Sequence, residues 1–216
     1  MFISFEGIEG CGKSTQARYL ADRLRGLDIS VLSTMEPGGT RVGKDIRRIL
    51  LDRRNKNLSP LAELLLYASD RAQHVHEVIK PALEQGKWVV CDRYFDATLA
   101  YQGHARGQEM GLIKTLNQKA SVGIYPDITF LIDCPVSVGI GRALGRNKAL
   151  REEGQDRFER ECQKFHNSVR EGYLTVARKE PERFVVVDGT LEEKRLAGVI
   201  FEHIRPFLVP EDPEGF

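Results

Sequence analysis

A glycine-rich run near the start of the chain limits its possible folds more than any other feature. Gly7-Ile8-Glu9-Gly10-Cys11-Gly12-Lys13-Ser14 fits the pattern G-x-x-x-x-G-K-[ST] at every fixed position. Phe2, Ile3, Ser4 and Phe5 ahead of it read as a short apolar strand, and residues 16–27 behind it have helical spacing. Strand, glycine loop and helix in that order make a phosphate cradle. The glycines let the backbone curl so that successive N–H groups face one anion, and the helix start adds the positive end of its dipole. Gly7 to Thr15 is therefore the candidate triphosphate-binding loop. Within it Lys13 can reach the β- and γ-phosphates, and the Ser14 hydroxyl is placed for a Mg²⁺ ion bridging them. A chance match to this pattern is expected on the order of once per hundred chains of this length.

Further strands read at residues 29–33, 88–92, 128–133 and 184–188, each a short apolar run. Helical patterns fill the intervals at 42–51, 61–85, 96–102, 110–121, 135–144 and 158–178, and a last one spans 191–207. Ser59 and Pro60 supply an N-cap and a first-turn proline for the long third helix. Its opening turns, rich in leucine, predict that it lies inside. Residues 104–109 read as a polar loop, and 147–155 form the most polar, least foldable segment. The alternation predicts an α/β fold, a five-stranded parallel sheet covered by helices on both faces. At 216 residues the chain suits one domain, with a lid segment at about 142–160.

In such sheets ligands sit at the carboxyl ends of the strands. The conspicuous polar residues fall there: the glycine loop after the first strand, Glu36 after the second, Asp92 and Arg93 after the third. Asp92 follows four strand residues, where a carboxylate would reach Mg²⁺ or its waters; the plainer reading is a solvated strand end. Arg93 is suited to gripping a phosphate with two bonds, or else makes a surface salt bridge. Tyr67 and Arg71 are four apart and share a helix face, which fits either core packing or an aromatic face beside a guanidinium for a base. Arg142, Arg146, Arg151, Arg157 and Arg160 make a charge run that is either a solvated face or a lid closing cations over a phosphate.

The formal net charge of +1 gives no long-range pull toward nucleic acid or an anionic membrane. Cys11, Cys91, Cys134 and Cys162 show no C-x-x-C pairing and no zinc spacing, so reduced thiols and a cytoplasmic setting are expected. Glu6 interrupts the first apolar run, which argues against a signal peptide, and no run approaches the ~20 apolar residues of a membrane span. The five histidines form no catalytic pattern.

Beyond the loop, several motifs occur together: FEGIEGCGKST, EPGGT at 36–40, LLLYASDR at 64–71, Lys80-Pro81, Asp92-Arg93-Tyr94 continuing to Ala100-Tyr101-Gln102-Gly103, FLID at 130–133 and Asp156-Arg157-Phe158-Glu159. On these residues the chain resembles bacterial thymidylate kinases over nearly its whole length. The resemblance implies transfer of the γ-phosphate of ATP to dTMP, giving dTDP and ADP, with Mg²⁺ and in a homodimer. It further implies that Glu9 faces the acceptor sugar, Tyr67 stacks on thymine and Arg71 bonds the base edge. Arg93, with Arg47, would hold the acceptor phosphate, with Glu36 nearby. Thr98, Tyr101 and Gln102 would line the pocket, and Glu159 would be a lid carboxylate. With glycine at position 10 of the loop, the catalytic arginine is expected in the lid, at Arg146, with Arg142 and Arg151 as substitutes. Met35 and Ala97 depart from the family pattern, where arginine and serine are common.

Two alternatives stand beside this reading. One is a nucleotide kinase of the same chemistry with another acceptor. The other is a GTP-dependent switch module, which requires D-x-x-G and N-K-x-D. Asp92 is followed by Arg93, Tyr94 and Phe95, and Asn147-Lys148 by Ala149 and Leu150, so neither motif is present.

Overall fold

The computed structural model describes residues 1–145 in full, the backbone of 146–150, and residues 157–208. In chain order its elements are β1 (Phe2–Glu6), α1 (Lys13–Arg25), β2 (Val31–Met35), α2 (Arg41–Leu51), α3 (Pro60–His74), α4 (Lys80–Glu84), β3 (Trp88–Asp92), α5 (Phe95–Thr98), α6 (Met110–Ser121), β4 (Ile128–Asp133), α7 (Val136–Leu150), α8 (Gln163–Lys179), β5 (Phe184–Asp188) and α9 (Glu193–Ile204). A π-helical turn, Val75–Ile79, joins α3 to α4, and a second, Leu99–Ala105, extends α5.

The five strands form one parallel sheet in the order β2-β3-β1-β4-β5. Every residue of β1 is buried, as is expected of a central strand covered on both faces. Phe5 lies in register with Asp92 on one side and Phe130 on the other, so the ends of β1 and β3 come level where the glycine loop begins. Phe5 and Phe130 stack at 5.3 Å between ring centroids within the core. The strands at 88–92, 128–133 and 184–188 lie where the apolar runs predict them.

Other boundaries differ. The second strand begins two residues later than its pattern suggests and runs to Met35, because an edge strand with partly exposed side chains carries a weak apolar signal. The first helix starts at Lys13, directly from the loop. The long run expected at 61–85 is one helical path interrupted by the π turn, and its opening turns are not wholly interior: Leu61 is 50 % and Leu65 45 % exposed. Residues 104 and 105 are helical rather than loop. The helix expected from 135 to 144 continues to Leu150, and that expected from residue 158 starts at Gln163. Ser59 caps α3 by accepting from the Ala62 N–H at 3.2 Å.

Candidate active site

The loop between β1 and α1 closes tightly on its surroundings. Gly10 has φ of 68°, and a Cβ there would lie 1.9 Å from the Gly139 carbonyl oxygen at the base of α7. No side chain fits, so position 10 presents backbone only. Lys13 is buried and folded back on the loop, its Nζ donating to the Ile8 carbonyl at 2.6 Å. Ser14 donates through its hydroxyl to Asp92 Oδ2, which ties the start of α1 to the end of β3. Asp92 Oδ1 is buried without a partner among the described residues. Among the described residues no three His, Cys, Asp or Glu side chains cluster as metal ligands. One hydroxyl and one carboxylate with a spare oxygen suit a hard cation that takes its remaining ligands from phosphate and water.

Two cavities adjoin this loop. One, of about 630 Å³, is walled by residues 10–16, Arg142, the turn at 189–193 and Leu196. Arg142 Nη1 donates to the Gly189 carbonyl at 2.8 Å across it. The turn at 189–193 was not singled out by sequence, since nothing in it marks a ligand. The other cavity, of about 460 Å³, has walls from six stretches of chain. Glu9 lines it from the loop, Glu36 and Pro37 from beyond β2, Arg47 from α2, and Tyr67 and Arg71 from α3. Asp92, Arg93, Thr98, Tyr101 and Gln102 come from β3 and the helix after it, and Phe158 and Glu159 from the turn before α8. Every residue the resemblance assigned to the acceptor thus borders this one space. Arg151 lies outside the described residues, as does the side chain of Arg146. Arg157 is engaged elsewhere, donating to the Leu50 carbonyl at 2.6 Å and to Glu63 at 2.7 Å.

The polar side chains of the second cavity bond to one another in sets. Arg71 is buried: Nε donates to Glu36 Oε2 at 2.9 Å, Nη1 to Asn117 Oδ1 at 2.8 Å, and Nη2 to Thr98 Oγ1 at 3.1 Å and the Tyr94 carbonyl at 3.4 Å. Of five N–H donors, one on Nη1 is left among the described residues. Glu36 Oε1 meets His74 Nδ1 at 3.0 Å. Gln102 donates to Glu63 at 2.8 Å, and Arg47 to the Pro37 carbonyl at 3.0 Å.

Arg93 anchors a second set. Its backbone is left-handed at φ of 69°, which costs a non-glycine residue on the order of 1–2 kcal/mol. It is held there by its N–H on the Phe5 carbonyl at 3.0 Å and by Nη1 on the Gly7 carbonyl at 3.0 Å and the Tyr173 hydroxyl at 3.1 Å. Nη2 donates to Glu9 Oε1 at 3.2 Å, an oxygen that also accepts from Tyr101. Burial pushes the Glu9 carboxyl up, but His166, Arg93, Lys13 and Tyr101 outweigh it and hold it down at about 2. Glu6 goes the other way. Burial and nearby Asp96 push it up to about 8, against Arg93 and bonds from the Tyr94 N–H and the Tyr173 hydroxyl. His74, Asn117, Tyr173 and His166 are contributors that sequence did not reveal, because each acts on a residue far away in the chain.

A family model described as thymidylate kinase matches residues 5–199. The thymidylate kinase of Citrifermentans bemidjiense is 54 % identical over 204 residues, covering 94 % of this chain and 91 % of that one. That of Syntrophotalea carbinolica is 56 % identical over 194 residues, covering 89 % and 90 %. The crystal structure of thymidylate kinase from Ehrlichia chaffeensis superposes with a TM-score of 0.75 at 34 % identity, covering 95 % of this chain and 98 % of that one. On the strength of these matches and of the site just described, the chain belongs to the thymidylate kinase family.

Proposed function

We propose that the chain moves the γ-phosphate of ATP to dTMP, giving dTDP and ADP, with the larger cavity as donor site and the smaller as acceptor site. The observation that carries this is their common wall. Gly10, Lys13, Ser14 and Thr15 line both, so nucleotides entering from opposite sides meet head to head at the loop. Such placement supplies the in-line approach on which phosphoryl transfer depends.

The loop amides and the start of α1 cradle the donor phosphates. Lys13 leaves the Ile8 carbonyl to reach them. Arg93 holds the acceptor phosphate with Arg47, while Glu36 holds Arg71. The remaining Nη1 hydrogen of Arg71 meets the base edge, and Tyr67 stacks on its face. Thr98 and Gln102 close the pocket, Tyr101 and Glu9 face the sugar, and Glu159 stands at the rim. Ser14 and Asp92 would hold Mg²⁺, which would supply positive charge against the charge that spreads over the moving group. The transfer arginine is Arg146, with Arg142 and Arg151 as substitutes. Arg146→Ala should cut kcat roughly a hundredfold with little change in KM for dTMP. A raised KM with unchanged kcat would make that residue an acceptor clamp instead.

Val42 and Ile49 on α2, Leu61 and Leu65 on α3 and Leu112 on α6 expose apolar surface on three packed helices, which supports a homodimer through this face. The absence of cysteine pairing patterns supports a cytoplasmic setting. An ADP-release assay with dTMP, dUMP, AMP and CMP as acceptors tests the reading. Release should depend on dTMP. Equal release with another monophosphate would assign a different acceptor, and slow release independent of any acceptor would indicate a switch module.

A further inference from the structure

The acceptor side is braced from behind by one helix. His166 on α8 is 1 % exposed, and its Nδ1 lies 3.4 Å from Glu9 Oε2. Among the described residues, neither ring nitrogen of His166 makes a well-aligned hydrogen bond, and neither does Glu9 Oε2. The other Glu9 oxygen is taken by Arg93 and Tyr101. Seven residues along the helix, on the same face, the Tyr173 hydroxyl accepts from Arg93 Nη1 at 3.1 Å and donates to Glu6 at 2.8 Å. Tyr101 lies among α8 side chains, edge-on to Phe165 and to Tyr173 with centroids 6.2 and 6.1 Å apart. Gly172 permits this close docking: a Cβ there would lie 3.0 Å from the Ala100 Cα and 2.9 Å from the His104 Cβ.

An imidazole that served only to fill space would be a poor choice here. Burying ring nitrogens without partners costs on the order of 1–3 kcal/mol, and an apolar ring of similar size would avoid it. A small rotation of the ring turns the 3.4 Å approach into a hydrogen bond, and bonds of this kind are often loose before substrate arrives. We propose that His166 and Tyr173 are positioning residues of the acceptor site: the imidazole fixes the second oxygen of Glu9, and the phenol fixes the guanidinium of Arg93. Neither side chain lines the acceptor cavity, so both act through the residues they hold. The inference rests on the reading of that cavity as the dTMP site.

The test is steady-state kinetics of the full chain with both substrates varied. His166→Phe keeps the ring and removes the nitrogens; Tyr173→Phe removes one hydroxyl. Each should raise KM for dTMP roughly five- to tenfold, the equivalent of one lost hydrogen bond, with KM for ATP and kcat within about twofold. His166→Asn puts an amide nitrogen close to where Nδ1 stands and should restore KM for dTMP to near wild type. Unchanged kinetics in His166→Phe, an equal rise in both KM values, or an Asn variant no better than Phe would each overturn the role of His166. If His166→Phe does not melt cooperatively, Asn against wild type and Tyr173→Phe decide the question. A wild-type chain that leaves dTMP unphosphorylated overturns the acceptor reading and this inference together; an active wild type with indifferent variants overturns this inference alone.

Discussion

The two cavities that meet at Lys13 are built by opposite means. The donor side is built on the amides of one contiguous stretch, residues 10–16, which supplies half of its lining and in which the absence of a side chain at Gly10 matters as much as any group present. The acceptor side is side chains from six separate stretches, joined through charge withdrawn from water: Arg71 to Glu36, fully buried, and Arg93 to Glu9, partly buried. A site made of amides is set by local chain geometry and is indifferent to pH. A site made of buried ions depends on long-range packing, and its charges weigh on the stability of the whole molecule. Function and stability should therefore separate on the donor side and move together on the acceptor side.

The largest expected effect is at Arg71. Arg71→Leu leaves Glu36 buried without its guanidinium, and breaking such a pair costs about 3–5 kcal/mol. For a chain of this size the melting temperature should fall by roughly 6–20 °C, and dTMP binding should be lost with it. A variant that keeps its melting temperature while losing dTMP would show that the ion pair does not brace the scaffold. Next is Lys13→Ala, which should lose roughly a hundredfold or more in kcat while melting within a few degrees of wild type. A large drop in its melting temperature would show that the Lys13 bond to Ile8 holds the loop together, and the contrast would fail.

The smallest effect is a test of buried charge alone. Asp70 Oδ1 accepts from the Gly38 N–H at 3.0 Å, and burial with Glu36 nearby pushes this carboxyl up to about 6. A folded-state value above the unfolded one means that the native protein binds the extra proton. Its contribution is fully present below about pH 4 and is lost as pH rises through 6. Asp70→Asn should therefore gain on wild type by on the order of 2 kcal/mol between pH 4 and pH 7 in urea unfolding. Parallel pH profiles for the two proteins would show that Asp70 carries no strained charge. Glu9 has the opposite sign: held at about 2, it contributes stability above pH 4.5 that is lost as pH falls toward 2.

The same contrast decides what could be read in the sequence. The loop is contiguous, so its eight-residue pattern is visible without any knowledge of packing. Strands β3, β4 and β5 are near-continuous apolar runs ending in aspartate, and they lie where expected. The acceptor residues lie at spacings that carry little meaning by themselves. Tyr67 and Arg71 share a face of α3, but only resemblance brought Thr98, Gln102 and Glu159 to the same place. The π turns at Val75–Ile79 and Leu99–Ala105 have no compositional mark. His74 and Asn117 were unreadable because both act on partners more than thirty residues away, Glu36 and Arg71. Phe158 heads a helical pattern in the sequence but stands in the turn before α8, where its ring meets Tyr101 edge-on at 5.6 Å and lines the acceptor cavity.

If the two cavities work as proposed, one phosphoryl group crosses their shared wall from one to the other. Following the label from γ-phosphate-labelled ATP, with magnesium and dTMP present, tests it most directly. The label should move into dTDP in step with ADP formation while free phosphate stays at background. Label accumulating as inorganic phosphate at the same rate with and without dTMP would contradict it.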